Sequence, residues 1–158
     1  MTESLDTKLV TDWREVLPVV TPFYERFFGE KMPQLDGVAS YFTKEDTSYQ
    51  FNRFGVYSYL DRTIKVALMA RLSTAESLFH ELTHRRYDEE TNFLSLKLDK
   101  EFEVITGEYK AILKKKIVIN HFLHECVAYS SGFWFRRAYF DSTVEVDKTA
   151  LEKMKSEV

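Results

Sequence analysis

In the run His80-Glu81-Leu82-Thr83-His84, two imidazoles stand four residues apart. On a helix such residues lie one turn above each other, so both rings can bind a single metal ion. Neutral imidazole is a good donor for zinc. Glu81 directly follows the first His, which puts a carboxylate beside the open coordination position, where a general base takes a proton from water at the metal. The spacing therefore points to hydrolysis at one Zn2+ per chain, with Glu81 as base.

Two His are too few for a stable zinc site, so a third protein ligand is required. A metzincin would continue with Gly and His at fixed distances, but Tyr87 and Glu90 occupy those places. The remaining arrangement takes a Glu from a later helix. Glu101, Glu103, Glu108 and Glu125 are candidates, and His121 and His124 compete as donors. Glu125 is preferred on geometry: it lies in the strongest downstream helix pattern, with His121, Ala128 and Gly132 on nearly the same face. Small residues at 128 and 132 would let that helix approach the HExxH helix closely. Hydrolysis also needs a donor for the oxyanion, and Tyr109, Tyr129, His121 and His124 are chemically suitable. Arg85-Arg86 could hold a substrate carboxylate or merely complement the helix dipole.

These residues need a scaffold, and the pattern supplies an α+β one: a small antiparallel sheet of 3–4 strands packed on the HExxH helix and a second, ligand-bearing helix. Trp13, Val16, Leu17, Val20, Phe23, Tyr24 and Phe27 recur at helical spacing and predict an N-terminal helical segment over 12–28, broken or kinked by Pro18 and Pro22. Aromatic and β-branched residues then alternate with polar ones over 38–42, 49–51, 56–60 and 64–68, which reads as short strands. Asp61-Arg62-Thr63 is short enough for a hairpin, although it lacks the usual Gly. Ser73-Thr74-Ala75-Glu76 reads as a capping box opening the HExxH helix, which should run to about Tyr87 before a loop at 88–92. A helix over 98–116, weakened by Gly107, should precede a long buried one over 117–140, and a short amphipathic helix is expected over 146–156. Phe133-Trp134-Phe135 reads as core packing.

A length of 158 residues, 44% hydrophobic and 15% aromatic, fits one domain: an N-terminal extension over 1–35, a core over 37–140 and a C-terminal helix over 141–158. The net charge of −3 gives no general attraction to nucleic acid. The only basic run is Lys114-Lys115-Lys116, with Arg136-Arg137 as a second, smaller pair, and a solvated helix face is the simpler reading of it. Cys126 is the only cysteine, which excludes an internal disulfide and a Cys-rich zinc finger. The N-terminus lacks the basic and apolar regions of a secretory signal, and no apolar stretch is long enough for a membrane span. The expected setting is cytoplasmic, with a peptide or protein as substrate and no membrane partner.

The run Tyr57 to His84, with Asp61, Ile64, Met69 and Leu78-Phe79-His80-Glu81-Leu82-Thr83-His84, resembles the strand, hairpin and catalytic helix of the minigluzincins. Within that group it is similar to the metallopeptidase half of ArdC-type anti-restriction proteins and, more distantly, to ImmA/IrrE-type peptidases. Glu125-Cys126-Val127-Ala128-Tyr129 resembles the Glu-x-x-Ala segment that supplies the third ligand there. The two blocks, with the segment between them, span about half of the chain. The resemblance implies zinc held by His80, His84 and Glu125, Glu81 as base, and an antiparallel sheet beside the two active-site helices. It departs at Tyr129, where relatives often carry an acid that orients a ligand His. The nucleic-acid-binding half of ArdC-type proteins is not evident. Two rivals stand beside the peptidase: a zinc-stapled binding module closed by His121 or His124, and an ArdC-like protein that binds nucleic acid through Lys114 to Lys116.

Overall fold

The structure, a computed structural model, describes residues 8–42 and 54–141. The strand expected over 49–51 and the helix expected over 146–156 lie outside these residues. A 3₁₀ turn at Trp13–Val16 leads into α1 (Leu17–Phe28), followed by β1 (Val38–Phe42), β2 (Gly55–Ser58), β3 (Thr63–Leu68), α2 (Arg71–Glu90), α3 (Leu94–Val104) and α4 (Glu108–Asp141). This is the α+β class read from the sequence.

The N-terminal segment starts where Asp12 accepts a hydrogen bond from the Arg14 amide at 2.8 Å. Pro18 falls in the first turn of α1, where a missing N–H costs nothing, but Pro22 sits inside the helix and does not break it. The lost backbone bond is offset by burial of Val20, Phe23 and Tyr24. These side chains meet α2 and α4 at Phe79, whose ring centroid lies 5.0 Å from Phe23, 5.9 Å from Phe28 and 5.2 Å from Phe135. Phe79 is fully buried. Phe79→Ala is therefore expected to cost about 3–5 kcal/mol in urea unfolding. A loss below about 1 kcal/mol would mean that the cluster closes over the cavity and that Phe79 is not its keystone.

The sheet has the order β1-β3-β2. Here the structure corrects the antiparallel expectation: β2 pairs antiparallel to β3, but β1 pairs parallel to it, Val38 opposite Ile64 through Phe42 opposite Leu68. β3, the middle strand, buries Ile64, Val66, Ala67 and Leu68 and exposes Lys65. The β2–β3 hairpin turns without Gly because Arg62 takes a left-handed φ of 61°. The Asp61 carboxylate locks that turn by accepting from Thr63 N at 3.1 Å and Thr63 Oγ1 at 2.7 Å.

α2 also begins differently from the expected capping box. It starts at Arg71 after an extended Ala70, with no side-chain cap, and the hydroxyl at work is that of Thr74, which accepts from Met69 N at 2.9 Å. Glu76 instead forms an ion pair with Arg136 at 2.8 Å. The helix runs on to Glu90 through the expected loop, because Asp88 is a buried residue rather than a solvated turn. The break between the last two helices falls at Ile105–Gly107, where Gly107 has φ +75°, so α4 is one continuous helix of 34 residues. At about 1.5 Å per residue it is roughly 50 Å long. Phe135 packs in the core as expected, whereas Phe133 faces solvent.

Candidate metal centre

α2 carries His80 and His84 one turn apart because its other face, through Ala75, Leu78, Phe79 and Leu82, is anchored in the core. The imidazoles are thereby turned toward α4, where Ala128 is fully buried. Gly132 plays a different part from the one expected. A Cβ added there would meet open space, so it leaves room in the cleft and eases no helix approach.

Donor atoms of three side chains converge. His84 Nε2 lies 3.2 Å from His80 Nε2 and 3.3 Å from Glu125 Oε1, and His80 Nε2 lies 3.6 Å from Glu125 Oε2. Tetrahedral zinc with ligands at about 2.0–2.1 Å places its donors about 3.3–3.4 Å apart. The observed separations are of that size, with Glu125 turning a different carboxylate oxygen toward each His. Burial pushes both imidazoles down from their ordinary pKa, His84 to about 3 with smaller contributions from the neighbouring His80, His124 and His121. Both rings are held neutral, as ligands must be. The residues fit a divalent metal ion.

The triangle opens onto a cleft of about 830 Å³, lined by Phe54 to Tyr57 of the sheet edge, by His80, Glu81 and His84 of α2, and by His121, Glu125, Tyr129 and Gly132 of α4. Glu81 is 6% exposed and packs on the backbone of Gly55. No family model, curated protein or solved structure matches this chain. The case for the site therefore rests on its own geometry.

The other sequence candidates are sorted by the fold. Glu101 and Glu103 are exposed on α3, and Glu108 is exposed at the start of α4; none joins the donor group. Tyr109, 69% exposed, stands 16 residues before Glu125 on the same helix, roughly 24 Å along its axis, and takes no part in the cleft. Tyr129 and His121 line the cleft, Tyr129 with its ring 4.8 Å from that of His80 and His121 edge-on to Tyr59 at 6.0 Å. His124 is buried behind His84, with Nδ1 3.3 Å from His84 Nδ1. Arg85 donates to the Asp36 carbonyl, and Arg86 binds Glu30 and Glu90 over the Phe28 ring, so both arginines brace the fold outside the cleft. Lys114 to Lys116 are exposed on α4 and do not line the cleft.

Sequence reasoning missed Gly55, Ser95 and Asn120. Gly55 matters because any side chain would strike Glu81, a contact across strand and helix that has no sequence period. Ser95 and Asn120 join His124 in a buried hydrogen-bond chain, and only the folded packing of α3 on α4 brings them together. No helix of the described residues is long and apolar enough to cross a membrane.

Proposed function

We propose that this chain is a zinc-dependent hydrolase of peptide bonds, a metallopeptidase of the gluzincin type. The observation that carries the reading is the donor group of His80, His84 and Glu125, its two His nitrogens 3.2 Å apart and each 3.3 or 3.6 Å from a Glu125 oxygen, open to a cleft that also holds Glu81. When bound, zinc polarises a substrate carbonyl and makes water acidic enough to attack near neutral pH. The chain's own residues do the rest. His80, His84 and Glu125 hold the ion, and Glu81 accepts the proton of the attacking water and passes it to the leaving amine. Tyr129 and His121, both on the cleft wall, are chemically suited to donate to the oxyanion.

A peptide suits the cleft because, among the described residues, one wall is a sheet edge. β2 pairs with β3 on one side, and Phe54 to Tyr57 border the cleft. An extended backbone can therefore be held by main-chain hydrogen bonds across the metal site. Against a closed structural staple, His121 stands outside the donor group and His124 has its nitrogens turned to His84 and Ser95. A metal held by His80, His84 and Glu125 would then keep a position for water and substrate.

Elemental analysis of purified protein tests the reading. The native chain should carry one zinc, His84→Ala and Glu125→Ala should lose it, and Glu81→Gln should keep it. A native chain without zinc, or zinc content indifferent to these changes, would sink the proposal.

A further inference from the structure

The atoms around His84 fix more than its role as a ligand. His84 Nε2 faces His80 Nε2 at 3.2 Å and Glu125 Oε1 at 3.3 Å, so Nε2 is the donor atom and must be unprotonated. In a neutral imidazole the other nitrogen then carries the proton. Nδ1–H of His84 points at His124 Nδ1, 3.3 Å away. That nitrogen has to accept, which places the proton of His124 on Nε2, directed at Ser95 Oγ at 3.3 Å.

The far end of the chain accommodates the same direction. Asn120 Nδ2 can only donate, and it donates to Ser95 Oγ at 2.8 Å. A hydroxyl oxygen has two lone pairs, enough to accept from both Asn120 and His124. Ser95, Asn120 and His124 are all buried, Ser95 and His124 on the inner wall of the cleft. The His124 ring is also clamped, parallel to His84 at 5.5 Å and edge-on to Tyr87 at 4.6 Å.

We infer that His124 is the positioning residue of the metal centre: it accepts the Nδ1–H of His84, and Ser95 with Asn120 holds His124 in the tautomer that can do so. The inference rests on the metal-centre reading and deepens it. It also answers the departure at Tyr129. The side chain there touches His80 through its ring face or edge, and the orienting acceptor for a ligand His comes from the residue before Glu125. A ligand so fixed needs no reordering when the metal arrives, and loss of such a partner typically weakens metal binding about 10–100-fold.

The test is zinc affinity by chelator competition for the native chain, His124→Leu and His124→Asn, together with ¹⁵N NMR of the histidine rings in the zinc-loaded native protein. His124→Leu keeps bulk but offers no acceptor and should bind zinc about 10–100-fold more weakly. His124→Asn places its Oδ1 near the position of Nδ1 and should recover most of the affinity, a rescue that a purely packing role would not show. The NMR spectrum should show His124 protonated on Nε2 and His84 on Nδ1, and Ser95→Ala should raise the Nδ1-protonated fraction of His124. Zinc bound as tightly by His124→Leu as by the native chain, or His124 protonated on Nδ1, would overturn the inference while leaving the metal centre standing. A native chain that binds no zinc would overturn both. Should His124→Leu fail to fold, the tautomer assignment in the native protein decides.

Discussion

Glu81→Gln is expected to lower peptide hydrolysis by about 10²–10⁴-fold with one zinc per chain retained. The substitution keeps the shape of the side chain and removes its basicity. Glu81 is placed for the task by the helix itself: it follows His80 by one residue, so it projects next to the donor triangle rather than into it, and it lines the same cleft. At 6% exposure its carboxylate is largely shielded from bulk water, which favours proton transfer with a molecule in the cleft. Turnover of a peptide library and zinc content, measured on the same preparation, separate the two roles. Full activity in Glu81→Gln would remove Glu81 from the chemistry. Loss of zinc together with activity would make it a ligand or a structural residue.

The donor set was legible because each part of it is local. His80, Glu81 and His84 lie within five residues of one helix, and Glu125 was singled out by helical angle within another. The step that joined them needed only that two helices pack. Partners across strands are another matter. Alternation over 38–42 and 64–68 identified β1 and β3 as strands, yet alternation is the same for parallel and antiparallel pairing. The direction depends on how the strands are connected, and the pattern of either strand is silent about it.

Misreadings of particular side chains have a common physical source. Ser73 and Glu76 matched the capping pattern by spacing, but Val10 N binds Met69 O at 2.9 Å and fixes the chain at Ala70, so α2 starts two residues before Ser73. Long-range backbone pairing overrode a local signal. His124 shows the reverse. Its proximity to Glu125 in sequence pointed to the metal, and 100° of helical rotation sends adjacent residues to different sides of α4. It comes to the metal through His84, from behind, a route that requires the third dimension.

Gly55 gives the prediction on which strand, helix and chemistry meet. An ideal Cβ on Gly55 would lie 2.9 Å from Glu81 Cγ and 3.0 Å from Glu81 Oε1. Cγ is close to the helix backbone and cannot swing away as a side-chain tip would, so Gly55→Ala must displace the whole carboxylate. A misplacement of about 1 Å at a reacting group costs about 10²-fold. Gly55→Ala is therefore expected to cut turnover by about that factor while zinc content stays at one per chain, because the triangle of His80, His84 and Glu125 does not include Glu81. A weakened edge strand could also lower activity, by loosening substrate. The two causes separate in the Glu81→Gln background: if Gly55 acts through Glu81, adding Gly55→Ala there should change the residual rate little, and the two effects are far from additive. An undiminished hundredfold loss in the double variant would show that Gly55 serves the peptide backbone instead, and the 2.9 Å approach would be a consequence of close strand packing rather than its reason.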